Sequence, residues 1–155
     1  MTAQAPGGTE PLILVVDDNP DHRELIVAAL GERTDRARIA TAEGGEAALD
    51  YLLARGPHAQ RDTRHQPRLV ILDMKMGAVD GLTVLKAIRA HAHTAALPVV
   101  MLSAGADKEE LDRCYEAGAN SVVRKSIDFD DLRRKMGKVY EFWITVNEAN
   151  RHSRV

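Results

Sequence analysis

Polar side chains capable of chemistry stand directly after each of four short apolar runs. Asp17 and Asp18 follow LILVV, Asp73 follows LVIL, Ser103 follows VVML, and Arg124-Lys125 follow the weaker run from Ala119 to Val123. Three carboxylates brought together repel one another unless a cation offsets the charge. A set of hard oxygen donors with no His or Cys suits Mg²⁺ better than a transition metal. The histidines offer no rival site. His91 and His93 stand two residues apart on a helical pattern and do not share a face, while His22, His58, His65 and His152 form no cluster.

These residues converge only if the apolar runs are neighbouring strands. Leu12 to Val16, Leu69 to Leu72, Val99 to Leu102 and Ala119 to Val123 are rich in Val, Ile and Leu and do not alternate with polar residues. Such runs read as strands buried on both faces, as in a parallel sheet covered by helices. A more polar run, Arg36 to Thr41, reads as an edge strand. Helical faces fall between them: Leu25, Ile26, Ala29 and Leu30 after an Asn19-Pro20 start; Ala47, Ala48, Tyr51 and Leu52; Leu82, Leu85 and Ile88 after Gly81; Leu111, Cys114, Tyr115 and Gly118. A fifth helix is expected from Asp128 to about Ala149. Five β-α units in series call for a doubly wound α/β parallel sheet, which gathers ligands outside the carboxyl ends of its strands. Residues 55–68, with Gly56, Pro57 and Pro67, read as a long surface loop. Residues 1–11 and 150–155 read as tails, the first disordered, around a single domain spanning 12–149.

The motifs carry a resemblance. VVDDNP at Val15 to Pro20, LDMKMGAVDG at Leu72 to Gly81, MLSAG at Met101 to Gly105 and VVRKS at Val122 to Ser126 resemble the receiver domains of bacterial response regulators. The intervals match that family as well, with thirty residues from Asp73 to Ser103 and twenty-two from there to Lys125. The resemblance covers roughly Leu12 to Leu132. It implies a flavodoxin-like (βα)5 fold with strand order 2-1-3-4-5. It also implies a phosphoacceptor that catalyses its own phosphotransfer and autodephosphorylation rather than an enzyme. Asp73 would be the nucleophile that takes a phosphoryl group from a phosphohistidine or a small phosphodonor. Asp17, Asp18, Asp73 and the backbone carbonyl of Lys75 would hold Mg²⁺, while Ser103 and Lys125 would contact the phosphoryl oxygens. Their movement onto that group is the expected switch.

Each residue also has a plainer reading. Asp17-Asp18 alone reads as a solvated turn, Lys125 as a surface charge, Ser103 as a cap for the next helix, and Cys114 as a core residue. A haloacid-dehalogenase-type phosphatase also uses a strand-end Asp with Mg²⁺, but needs a second Asp two residues on, where this chain has Lys75. The remaining alternative is an adaptor that binds partners without phosphorylation, and the full set Asp17, Asp18, Asp73, Ser103 and Lys125 argues against it.

Three positions depart from the receiver pattern. Ser126 follows Lys125 where the family has a cis proline. A cis bond before a non-proline residue costs about 3–4 kcal/mol, so either the loop holds that strain or it is trans and Lys125 is aimed differently. Val122 stands where a switching aromatic often sits. Gly77 replaces a frequent proline and should loosen the loop after Asp73. Lys75 and Gly105 flank the expected path of an attacking water, and Lys75 is expected to reach the phosphoryl group and slow its hydrolysis.

The C-terminal stripe Leu132, Met136, Val139, Trp143 and Val146 outruns a receiver's last helix. Phe142 and Trp143 point about 100° apart on a helix, so one face cannot bury both. Tyr140, Phe142, Trp143 and Val146 are therefore expected to form a homodimer interface. The segments RGPHAQ and EFWITVNEA are similar to the single-domain regulators of cyanobacterial and bacterial phytochromes. That implies a bacteriophytochrome, a sensor of the histidine-kinase type acting as kinase, phosphatase or both, as partner. Composition sets the outer limits. A formal charge of −2 with no Lys/Arg block argues against nucleic acid. Absence of the ~18 apolar residues of a membrane span, a start unlike a signal peptide and the single Cys114 argue for a cytoplasmic protein.

Overall fold

The computed structural model describes residues 10–32, 37–105 and 107–149. Five strands, β1 (Leu12–Val16), β2 (Arg38–Ala42), β3 (Leu69–Asp73), β4 (Val99–Ser103) and β5 (Ser121–Arg124), form one parallel sheet in the order β2-β1-β3-β4-β5. Helices α1 (Pro20–Gly31), α2 (Gly45–Leu52), α3 (Gly81–Ala90), α4 (Lys108–Glu116) and α5 (Phe129–Tyr140) alternate with the strands. This is the doubly wound parallel sheet that the apolar runs call for, with the flavodoxin-like strand order that the receiver resemblance implies. No helix among the described residues is long and apolar enough to cross a membrane.

Alternate side chains along each strand serve two cores. Leu14, Val16, Val70, Leu72, Val99 and Met101 pack under α2, α3 and α4. Ile13, Val15, Leu69, Ile71, Val100 and Leu102 pack under α1 and α5. Burying a Val, Leu or Ile in this way contributes roughly 1.5–3 kcal/mol each, so a continuous apolar run is the natural sequence of a strand covered on both sides. β3 and β4 are buried at every position.

The helix starts follow local chemistry. Asn19 caps α1 by accepting the N–H groups of Asp21 and His22, with Pro20 at the first position. Asp80, Asp107 and Asp128 cap α3, α4 and α5 in the same manner.

Two strand boundaries differ from expectation. β2 runs Arg38–Ala42 rather than 36–41, and Arg36 lies outside the described residues. β5 begins at Ser121 rather than Ala119, because Gly118 (φ +105°) and Asn120 form the turn, and Asn120 Oδ1 accepts the Val99 N–H at 2.8 Å. The 55–68 segment is a surface excursion pinned back to α2. It includes a 3₁₀ turn at Gly56–His58, and the Arg61 guanidinium lies 3.7 Å from the Tyr51 ring centroid while donating to the carbonyls of Tyr51 and His65. The tails fall mostly outside the described residues, yet the Pro11 carbonyl already accepts the Arg38 N–H at 2.8 Å.

The fifth helix is the largest difference. It does not continue as one α-helix to residue 149; α5 gives way at Glu141–Val146 to a π-helical segment, and Asn147 is extended. The β-branched run Ile144-Thr145-Val146 is a poor α-helix former. Thr145 Oγ1 donates back to the Glu141 carbonyl at 2.6 Å, and Arg68 donates to the Ile144 carbonyl at 3.1 Å. Met136, Tyr140 and Ile144 carry the buried line, with Trp143 half-buried and Val146 exposed. Tyr140, expected at a dimer interface, is instead part of the protomer's own core at 4% exposure.

Candidate functional site

The carboxyl ends of β1, β3 and β4 bring Asp17, Asp73 and Ser103 together because the three strands are neighbours in register. All three side chains are buried, and the neighbouring Asp18 is exposed. One carboxylate oxygen from each of Asp17, Asp18 and Asp73 lies within 4.8 Å of the others.

Lys125 closes the group from the end of β5. Its backbone N–H donates to the Ser103 carbonyl at 2.7 Å, which sets the side chain over the strand ends. Its Nζ lies 2.9 Å from Asp17 Oδ2 and 3.1 Å from Asp73 Oδ1. The described residues contain no cis peptide bond, so a trans Lys125-Ser126 link is compatible with a lysine aimed at the acid cluster. The two outcomes weighed from sequence, a strained cis bond or a misdirected lysine, are both avoided.

Electrostatics at the site is unbalanced. Burial first, and then the charge of Asp17, push the Asp73 carboxyl above the ordinary carboxylate range, and Lys125 pulls only partly the other way. Three carboxylates against one ammonium, which Asp17 and Asp73 share, leave the cluster with an excess of negative charge. That excess, in an all-oxygen donor set, fits a hard divalent cation.

Backbone contacts hold the acids. Asp17 Oδ1 accepts the Asn19 N–H at 2.9 Å, and its carbonyl accepts Arg23 Nη1 at 2.8 Å. Asp18 Oδ2 accepts the Gly77 N–H at 2.9 Å. A proline has no N–H to offer there, so Gly77 ties its loop to Asp18 rather than only loosening it. At Gly81 an added Cβ would fall 2.3 Å from the Asp73 carbonyl oxygen, and the Gly81 N–H donates to the Met74 carbonyl at 2.9 Å. Only glycine lets α3 start so close behind Asp73.

Of the residues singled out by sequence, Asp17, Asp18, Asp73 and Lys125 meet directly. Ser103 is present at 2% exposure, but its hydroxyl donates to Glu110 Oε1 at 3.0 Å, away from the acids. Lys75 is exposed on the loop after Asp73, and Phe142 and Val146 lie exposed on the helical segment Glu141–Val146. Sequence reading missed Arg23, Gly81 as a packing glycine, and Glu110. Only Glu110 left a signal, as the fourth residue of an Asp-x-x-Glu capping pattern starting at Asp107.

Comparison with known proteins gives a consistent picture. The response regulator receiver domain family matches residues 13–136. The "Probable methanogenesis regulatory protein FilR2" of Methanothrix harundinacea is 35% identical over 138 residues, 89% of this chain and 86% of that protein. The structure of the phosphorylated cyanobacterial phytochrome response regulator RcpA superposes with a TM-score of 0.84 at 27% identity, covering 91% of this chain and 99% of that one. The bacteriophytochrome response regulator AtBRR superposes with a TM-score of 0.71 at 35% identity, covering 90% and 99%.

Proposed function

This chain belongs to the response regulator receiver family, and on that premise we propose that it is a phosphorylation switch whose phosphoacceptor is Asp73. The observation that carries this proposal is the Lys125 ammonium bridging the buried carboxylates of Asp17 and Asp73 at 2.9 and 3.1 Å.

Asp73 attacks the phosphorus of a phosphohistidine on a sensor histidine kinase. The P–N bond breaks, its electron pair returns to the imidazole nitrogen, and an aspartyl phosphate remains. Lys125 is already at Asp73 and stays with the charge as it passes to the phosphoryl oxygens. Asp17, Asp18 and Asp73, with the Lys75 carbonyl, would hold Mg²⁺. When bound, Mg²⁺ offsets negative charge on the phosphoryl oxygens. Ser103 donates to a phosphoryl oxygen once its hydroxyl turns from Glu110. Loss of the phosphate is attack by water at phosphorus, with the P–O bond to Asp73 breaking and the carboxylate regenerated. Lys75, on the exposed loop, shields that path.

The proposed partner is a bacteriophytochrome acting as kinase, phosphatase or both, supported by the names of the phytochrome regulators this chain resembles. Homodimerisation would use the π-helical end of the chain. Phe142 is 48% and Val146 59% exposed, and Phe142 stacks edge-on against Trp143. An exposed phenylalanine stacked on a half-buried tryptophan, beside an exposed valine, is the composition of an interface.

Intact mass after incubation with acetyl phosphate and Mg²⁺ tests the proposal. Wild type is expected to gain one phosphoryl group in a Mg²⁺-dependent, alkali-labile form, and Asp73→Asn none. An equal gain in both proteins would remove Asp73 from the role.

A further inference from the structure

The hydroxyl of Ser103 already has an acceptor that no receiver role accounts for. Ser103 ends β4 at 2% exposure, and its Oγ donates to Glu110 Oε1 at 3.0 Å. Glu110 is the third residue of α4, whose cap Asp107 accepts the Glu110 N–H at 2.8 Å. A glutamate in that position ordinarily turns back to the N–H of the cap; here its carboxylate reaches the end of the neighbouring strand. A serine hydroxyl has one proton to donate. Ser103 therefore cannot serve Glu110 and a phosphoryl oxygen on Asp73 at the same time.

We infer that Glu110 is a positioning residue that holds the Ser103 hydroxyl away from Asp73 and so opposes the activated state. The inference rests on Asp73 being the phosphoacceptor. A bond present only in the inactive arrangement shifts the equilibrium toward it by that bond's differential strength. Its rupture also has a place to be registered. Once Ser103 turns away, the Glu110 carboxylate is free to close on the cap of α4. That helix is tied on one side to the residue after Asp73, through Cys114 Sγ at 3.6 Å from Met74 Sδ. On the other side the Tyr115 hydroxyl accepts the Val122 N–H at 3.2 Å. Val122 carries no ring, and this route through α4 needs none at that position.

The test is the affinity of the full chain for beryllofluoride, a phosphoryl stand-in, measured calorimetrically with Mg²⁺. Wild type, Glu110→Ala, Ser103→Ala and the double variant form a cycle. Glu110→Ala is expected to tighten binding about three- to tenfold, less than a fully buried charged hydrogen bond would give. The same substitution in the Ser103→Ala background is expected to change nothing. Equal tightening in both backgrounds would assign the effect to the glutamate's charge alone and overturn the inference, as would no change in either. Glu110→Gln keeps the shape and a weaker neutral bond, so it should fall between wild type and Glu110→Ala. It replaces the alanine variant in the cycle should that one not fold. Absence of Mg²⁺-dependent beryllofluoride binding to wild type has a different signature: it overturns the phosphoacceptor role of Asp73 and this inference with it.

Discussion

Two basic side chains cap opposite edges of the same sheet, and they are satisfied in opposite ways. At the carboxyl edge Lys125 lies against two carboxylates. At the amino edge Arg89, from the last turn of α3, reaches over the starts of β4 and β5. Its guanidinium donates to the carbonyls of Gly118 at 2.7 and 3.0 Å, Leu97 at 2.6 Å and Ala95 at 3.2 Å, and to Asn120 Oδ1 at 2.9 Å. The bonds described for Arg89 all end on neutral oxygens, and its burial lowers the guanidinium pKa. Gly118 leaves the room for it, since a Cβ there would meet Arg89 Nε at 2.9 Å. The amino edge is thus closed by dipoles matched to a cation. The carboxyl edge is left with more negative charge than its lysine balances. One edge holds the sheet together; the other is poised for a ligand.

Removing each cation should separate the two roles. Lys125→Ala is expected to slow phosphorylation by acetyl phosphate about 100-fold or more, the usual effect of losing one preorganised electrostatic contact. It should also lower stability without Mg²⁺, because a buried pair has lost one partner. A rate within threefold of wild type would show that Lys125 is only structural. Arg89→Ala should cost about 2–3 kcal/mol in urea unfolding by leaving several carbonyls without a donor, while the phosphorylation rate of the folded protein stays at the wild-type value. A slower reaction in that folded variant would mean that the edges are coupled.

The acid cluster itself supplies a smaller, opposite effect. Asp73 is held above its ordinary pKa, so the native state binds its proton more tightly than the unfolded chain does. Its ionisation therefore costs stability, a penalty absent below the ordinary carboxylate range and complete once pH has risen through the raised value. Asp73→Asn should raise the melting temperature of the Mg²⁺-free protein near pH 7 by about 2–4 °C, the shift that about 1 kcal/mol produces in a domain of this size. Below pH 4 the gain should vanish. A destabilised Asp73→Asn protein at neutral pH would contradict the charge imbalance. Smallest of all, Lys75→Ala should shorten the lifetime of the aspartyl phosphate a few-fold with stability unchanged. An unaltered dephosphorylation rate removes Lys75 from the shielding role.

Much of this was legible in the chain because both-face burial leaves an unambiguous trace. An apolar run that never alternates has few other homes than the middle of a covered parallel sheet. The polar residue that ends such a run marks the strand's carboxyl end, so the sequence itself places Asp17, Asp73, Ser103 and Lys125 on one edge. Caps such as Asn19 were equally plain, since the side chain and the N–H groups it accepts lie within one turn.

What needed the tertiary structure was every contact whose partner lies on another element. The Gly77 N–H on Asp18, the trans approach of Lys125, the Arg89 clamp and the Ser103–Glu110 bond all span separate elements or loops. The end of α5 was decided in the same way. A heptad-like stripe pointed to Trp143 and Val146, but β-branching weakens the α-helix there, and Ile144 fills the core while Arg68, just before β3, holds its carbonyl. Local patterns carry the period of an element and the chemistry of its ends. Which donor meets which acceptor depends on distances between elements, and those are set only when the two cores pack against the sheet.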